Sequence, residues 1–195
     1  MRTPITKIRA YLIAAVIAVQ GFGLAATNAI AADQSLEFGV KAAFLAKFGL
    51  FVEWPGSAFS SPNQPVYLCI LGEDPFGAAF DKISGVQALK GRTIEVRRLK
   101  TVAKDTGCQI LYVAPSESAR VGKILESLQG ASILTVTDGR SAGEPTGMIN
   151  FILKDDRVRF DIDEEMAAQN GLYISSTLLS LAVNVKRRQS VGGGK

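Results

Sequence analysis

The sequence has no histidine, only two cysteines and a single tryptophan among its 195 residues. Without histidine the chain cannot form a Ser-His-Asp or Cys-His catalytic pair, nor bind zinc or non-haem iron through imidazole. Two cysteines cannot supply the four thiolates of an all-cysteine zinc site or an iron-sulfur cluster. No nucleophile, base and orienting group occur together, so we expect a non-enzymatic protein without cofactor or metal.

Residues 1–31 have the layout of a secretory signal peptide. Three cations precede an uncharged apolar stretch over residues 10–26, and the small residues Ala29 and Ala31 precede a polar segment. A transmembrane anchor is the alternative, because the apolar run is almost long enough to span a bilayer. The small residues and the polar segment after them favour cleavage near Ala31, and therefore a periplasmic protein.

The basic character of the chain belongs to this leader. The full sequence has a net charge of +4, but removing the three leader cations leaves 19 Lys and Arg against 18 Asp and Glu. The mature chain has neither a basic stripe nor a platform of stacking aromatics, so we expect no nucleic-acid partner. The short run Lys186-Arg187-Arg188 is interpreted as a solvated helix end, where cations suit the helix dipole.

Export also determines how the two cysteines are interpreted. Cys69 and Cys108 are even in number and would face an oxidising compartment, so a disulfide is the default expectation. Each cysteine belongs to a strand-like segment, and the two strands would lie side by side in one sheet. Two buried free thiols are the alternative.

Hydrophobic periodicity predicts an α/β fold with a mostly parallel central sheet flanked by helices, a C-terminal β-hairpin and a terminal helix. The predicted elements are helices over 36–52, 74–83 and 116–129 and strands over 66–71, 93–99, 109–114 and 133–136. Two further strands, 148–153 and 158–162, would form the hairpin, and 163–188 would be helical with a break near Asn170-Gly171. Residues 32–190 would form one domain and 191–195 a flexible tail.

Two polar segments invite a chemical interpretation. The turn Gly72–Gly77 follows a strand and precedes a helix, where phosphates often bind, but it lacks the G-x-G-x-x-G spacing and carries two acids. Asp161, Asp163, Glu164 and Glu165 resemble an acid/base pair or a calcium site. A plain turn and an acidic first helical turn are the simpler interpretations, and we favour both.

Four apolar residues are candidates for contact with a partner. Trp54, the single tryptophan, stands beside a proline at a helix end, where it would either pack on the core or anchor a partner. The last helix is apolar over more than one stripe, which suggests burial against a second subunit. The candidates are Trp54, Phe151, Leu178 and Leu181.

The mature chain resembles the YfiR-like periplasmic proteins over nearly its whole length. The resemblance is carried by segments 40–45, 51–55, 69–72, 74–77, 108–113, 133–138, 147–151, 159–162 and 171–179, in this order and spacing. It implies a dimeric, non-enzymatic α/β protein that represses an inner-membrane diguanylate cyclase by contacting its periplasmic sensor region. In cyclic-di-GMP signalling and biofilm control, an outer-membrane lipoprotein would relieve that repression.

The cysteine pattern both matches and departs from this family. Cys69 and Cys108 match a cysteine pair seen in the family, whereas a second pair found in some members is absent from residues 141–152. Thr146-Gly147 also replaces a Gly-Gly. Redox control through a second bridge is therefore not expected here.

The leading functional hypothesis is a periplasmic regulatory binding module. The second is a periplasmic receptor for a small ligand, bound at the carboxyl ends of the strands. A carboxylate-based enzyme is the weakest of the three.

Overall fold

A computed structural model describes residues 23–81, 88–89, 91–141 and 143–188, with the side chains of 23–33 and 88–89 excepted. Most of the predicted leader and the predicted tail 191–195 lie outside the described residues, as does the end of the helix predicted over 74–83. The chain divides into two compact units between Phe38 and Gly39. The described part of the first unit is helical, and the second unit contains the sheet.

The chain alternates helices and strands, as predicted. The helices are α1 (Gly23–Phe48), α2 (Ala78–Asp81), α3 (Val121–Ser127), α4 (Glu164–Gln169) and α5 (Ser176–Leu181). The strands are β1 (Val52–Glu53), β2 (Val66–Leu71), β3 (Ala88–Leu89), β4 (Arg92–Leu99), β5 (Ile110–Val113), β6 (Leu134–Asp138), β7 (Ile149–Lys154), β8 (Arg157–Asp163), β9 (Tyr173–Ile174) and β10 (Val185–Lys186). Short 3₁₀ turns cover Gly49–Phe51, Gly56–Ala58 and Pro115–Arg120.

The main sheet has the strand order β10-β8-β7-β6-β5-β2-β4-β3. Strands β4, β2, β5, β6 and β7 run parallel, whereas β8 is antiparallel to β7 and β3 is antiparallel to β4. A separate two-stranded ribbon pairs β1 with β9. The predicted fold class, a mostly parallel sheet flanked by helices, is therefore confirmed.

Helices cover the two faces of the sheet with different side chains. On one face, the rings of Phe44 and Phe48 of α1 pack against those of Phe151 and Phe160 of the hairpin, mostly tilted or edge-to-face, with centroids 5.3–6.2 Å apart. On the other face, α3 packs through Val121, Ile124 and Leu128 on a cluster that contains both cysteines. Successive side chains of β5 point to opposite faces of the sheet. Leu111 and Val113 therefore belong to the cluster under α3, whereas Tyr112 points to the face covered by α1.

The hairpin is confirmed, and its turn explains why the strands reverse there. Asp155 and Asp156 have φ angles of 52° and 55°. Two consecutive residues of positive φ are the requirement of a type I′ turn, which matches the twist of the flanking strands.

The break predicted near Asn170-Gly171 is confirmed, but the segment 163–188 is only partly helical. Helix α4 ends before Gly171, whose φ is +73°, and the chain then forms β9. Ser175 opens α5 by accepting a hydrogen bond from the backbone N–H of Leu178, and β10 follows. Two short helices and two strands therefore replace the interrupted helix predicted over 163–188, because a glycine and a new N-cap at Ser175 divide the apolar pattern.

Candidate interaction surface

Two of the four predicted partner contacts are buried inside the chain. Phe151 is 0% exposed and stacks on Phe48, and Leu178 is 2% exposed. Both side chains pack within the domain, so neither offers a surface to a partner. These two assignments are corrected: the apolar pattern that suggested an interface belongs to the core at these positions.

Large apolar side chains reach the surface just before β1, on β9 and at the end of α5. Leu181, at the end of α5, is 57% exposed, Tyr173 on β9 is 47% exposed, and Leu50 before β1 is 45% exposed. The Arg188 guanidinium lies 5.7 Å from the Tyr173 ring centroid. Tyr173 is paired directly with Glu53 in the ribbon. Of the exposed residues, only Leu181 was among the sequence candidates.

Trp54 follows β1 and lines a cavity of about 280 Å³. The floor of the cavity is apolar, because Val52 and Val66 are buried. Phe59 forms a second wall, with its ring edge-to-face against the indole at 6.4 Å between centroids. The cavity is lined by Gly49, Val52, Glu53, Trp54, Phe59, Val66 and Arg92.

The indole N–H of Trp54 is buried and has no hydrogen-bond partner among the described residues. A buried donor left without an acceptor costs about 1–3 kcal/mol, and such groups are rare in native proteins. Trp54 is half-buried as a whole, so the residue lies at the border between core and surface. The sequence left packing on the core and contact with a partner open as roles for Trp54, and its partial burial is compatible with both.

Two opposite charges flank the Trp54 cavity. The Arg92 guanidinium lies 4.0 Å over the Phe59 ring and donates hydrogen bonds to the carbonyl oxygens of Ser61 and Gln64. Arg92 therefore fixes the loop that carries Phe59. Glu53 is exposed, and no described residue forms an ion pair with its carboxylate.

The predicted disulfide is confirmed. Cys69 on β2 and Cys108, two residues before β5, are bonded, with their Cα atoms 5.9 Å apart. Gln109 secures the same junction, because its side-chain oxygen accepts from the Tyr67 N–H while its amide donates to the Ala58 carbonyl. The bridge therefore joins two neighbouring parallel strands beneath α3.

The acidic segment after β8 has a structural role. Asp163 caps α4 by accepting from the Met166 N–H, and Glu164 and Glu165 lie in the first turn, as favoured from the sequence. The run 186–188 is not a helix end, since Lys186 belongs to β10. Lys186 pairs with Glu165 at 3.0 Å and Asp163 at 3.2 Å, and these carboxylates raise the pKa of Lys186. Arg187 and Arg188 both reach Glu164.

Four backbone N–H groups of the turn Gly72–Gly77, those of Gly72, Glu73, Phe76 and Gly77, already have acceptors within the chain. The Glu73 N–H donates to the Ser116 hydroxyl, and the Asp74 carboxylate accepts from the N–H groups of Phe76 and Gly77. A Cβ placed on Gly72 would come within 2.5 Å of the Ser116 hydroxyl oxygen. The crevice between the carboxyl ends of β2 and β5 is therefore filled at this point.

A buried ionic cluster was missed at the sequence level. Lys41 on α1 donates to both carboxylate oxygens of Asp138, which ends β6, at 2.6 and 2.8 Å. The Tyr112 hydroxyl donates to the same carboxylate at 2.7 Å. Lys41 stands on the core face of α1, one turn before Phe44 and two turns before Phe48, and that position is the signal that would have indicated burial.

The part of the chain that the structure describes lacks two features, a metal-binding cluster and a membrane-spanning helix. No group of three Cys, Asp or Glu side chains there is placed to hold a metal ion. No helix there is long and apolar enough to cross a membrane.

A mostly parallel sheet with helices on both faces, bridged by one disulfide between adjacent strands, defines a disulfide-bonded α/β protein. The YfiR/HmsC-like family model matches residues 38–183, so the chain belongs to the YfiR/HmsC-like family. The family makes it a periplasmic regulator in diguanylate cyclase signalling. No curated protein matches the chain.

Proposed function

We propose that this protein represses an inner-membrane diguanylate cyclase by contacting its periplasmic sensor region, which lowers cyclic-di-GMP and biofilm formation. The family match over residues 38–183 carries the proposal. The exposed side chains of Leu50, Tyr173 and Leu181 are available for such a contact. In this proposal the protein acts by contact alone, without catalysing a reaction and without a cofactor.

Three further elements belong to the same proposal. The leader is cleaved near Ala31, the mature protein acts as a homodimer, and an outer-membrane lipoprotein relieves the repression. The disulfide supports export, because such bonds persist in oxidising compartments. The intact mass and the sedimentation behaviour of protein purified from the periplasm test the first two elements.

The central experiment deletes the gene and measures intracellular cyclic-di-GMP. We expect cyclic-di-GMP to rise in the deletion strain and to return to its original level with the full-length gene. The matched control is the same gene without residues 1–31, which supplies the domain without export and should not restore repression. A pull-down against the periplasmic sensor regions of cyclases from the same genome tests contact. Unchanged cyclic-di-GMP together with no captured cyclase would contradict the proposal.

A receptor for a small ligand is the second candidate function. A cleft of about 360 Å³ between α3 and α4 favours it, since small-molecule pockets occupy about 300–1,000 Å³. Leu128, Ile133, Met148 and Met166 line this cleft. Ile133 and Met148 precede β6 and β7, so the cleft lies at the amino ends of these strands. Thermal-shift screening separates the candidates, because a ligand raises the melting temperature by mass action.

A further inference from the structure

We infer that the Trp54 cavity receives one apolar side chain from the cyclase sensor region, carried on a segment that has a Lys or Arg beside this anchor residue. The inference rests on the proposed function and assigns the contact surface for it. The occupant follows from the size, the lining and the charge of the cavity.

Size favours a single side chain. At about 280 Å³ the cavity lies just below the usual range of small-molecule pockets, about 300–1,000 Å³. Its floor consists of the buried side chains of Val52 and Val66, and its walls are the rings of Trp54 and Phe59. Such a lining stabilises an aliphatic or phenyl group by removing apolar surface from water.

The Trp54 ring is one wall of the cavity and supplies apolar contact area to the inserted side chain. Trp and Arg at the edge of a desolvated pocket are also the residue types that dominate binding energy at protein interfaces.

The charged residues that line the cavity indicate which type of residue lies beside the anchor residue on the partner. Arg92 is already engaged by two loop carbonyls and the Phe59 ring, whereas the exposed carboxylate of Glu53 has no ion pair with any described residue. A Lys or Arg on the partner would complement Glu53, as opposite charges do across interfaces. Tyr173, paired with Glu53 in the ribbon, continues the same surface.

The test titrates the purified mature protein with the purified periplasmic sensor region of the cyclase. Glu53→Lys should weaken binding at least tenfold. Glu95→Lys is the matched control, because Glu95 is also an exposed strand glutamate, on β4, and its reversal changes the net charge equally. We expect the control to bind within twofold of wild type, since Glu95 lies outside the cavity lining.

Trp54→Ala should weaken binding more than thirtyfold, and Trp54→Phe, which keeps a smaller aromatic ring at the cavity wall, should weaken it less than Trp54→Ala does. Far-UV circular dichroism checks the fold of both Trp54 variants. If the Trp54 variants misfold, Glu53→Lys still tests the inference, because it changes only a surface charge. Equal effects of Glu53→Lys and Glu95→Lys, or binding of Glu53→Lys within twofold of wild type, would show that the Trp54 cavity does not receive the anchor residue.

Other outcomes separate this inference from the function on which it rests. If the wild-type protein binds no sensor region, both fail. If the wild-type protein binds a sensor region and the cavity variants bind it equally well, the proposed function stands and only the assignment of the Trp54 cavity as the contact site is wrong. If Glu53→Lys instead dissociates a homodimer in sedimentation and leaves cyclase binding intact, a second copy of the chain occupies the cavity and the inference is overturned.

Discussion

The Lys41 ammonium and the Asp138 carboxylate form a buried ion pair with Nζ–O distances of 2.6 and 2.8 Å. Both side chains are only 5% exposed. The pair joins α1 to the end of β6, and the Tyr112 hydroxyl completes the coordination of the carboxylate. A buried charge is tolerated when it is paired and hydrogen-bonded, so the stability of the helix–sheet contact depends on all three groups.

Replacing Lys41 with methionine should lower the free energy of unfolding by about 3–5 kcal/mol, because the Asp138 charge is then left buried without its partner. Urea unfolding followed by circular dichroism measures the change. Lys47→Met on the same helix is the control, since Lys47 is exposed, and its effect should stay within about 0.5 kcal/mol. A loss for Lys41→Met no larger than the control would show that the pair is dispensable.

Reduction of the Cys69–Cys108 bridge should destabilise the domain by about 4 kcal/mol on the chain-entropy model, because the bond closes a loop with a sequence separation of 39. The double variant Cys69→Ala/Cys108→Ala should show a similar loss in urea unfolding. Periplasmic protein should have a mass about two units below the reduced form, since each bridge removes two hydrogens. Free thiols in freshly purified protein would contradict the bridge.

Local patterns predicted much of this fold, and the two misassigned partner residues share one cause. The strands that carry Cys69 and Cys108 were recognisable as short apolar runs, and the hairpin around Asp155-Asp156 by its turn. Apolar spacing cannot show whether a side chain meets its own core or a partner. That limit explains why Phe151 and Leu178 were assigned to an interface although both are buried.

The candidate surface was less predictable than the fold. Trp54 was identifiable by its rarity and its position before a proline. The cavity beside it depends on Val66 and Arg92, which the chain brings back from β2 and β4. Such long-range juxtaposition has no local sequence signal. The same holds for the Lys41–Asp138 pair, whose members are 97 residues apart.

Gly147 should not tolerate a side chain, for a steric reason. A Cβ at this position would lie 2.7 Å from the carbonyl oxygen of Thr135, which is backbone and cannot move aside cheaply. Gly147→Ala should therefore cost about 1–3 kcal/mol, as overpacking does. Gly56→Ala is the control because nothing lies within 4 Å of its Cβ position. Equal melting temperatures for the two variants would refute the steric argument.

Lys186 should make a small contribution to stability that is sensitive to alkaline pH. Glu165 and Asp163 raise its pKa in the folded state, so the charged form stabilises the fold below the ordinary lysine pKa of about 10.4. The contribution is lost as the pH rises through the higher folded-state value. The side chain is 63% exposed, so solvent screening limits the effect to less than about 1 kcal/mol.

Lys186→Met measures this contribution. Its free energy of unfolding should lie slightly below wild type at pH 7 and converge with wild type above the folded-state pKa. Lys123→Met, another exposed lysine, serves as the control and should show no convergence. A Lys186→Met deficit that grows with pH would have the opposite sign and would disprove the linkage.

The turn of the β7–β8 hairpin should be improvable by one substitution. Asp155 and Asp156 both adopt positive φ, which costs residues with a Cβ free energy that glycine does not pay. Asp156→Gly creates the Asp-Gly pair that type I′ turns prefer, and we expect a gain of about 0.5–1 kcal/mol in urea unfolding. Asp105→Gly, in an exposed turn without positive φ, should instead be neutral or destabilising, because it only adds freedom to the unfolded chain. A loss of stability in Asp156→Gly would show that its carboxylate contributes more than the backbone strain costs.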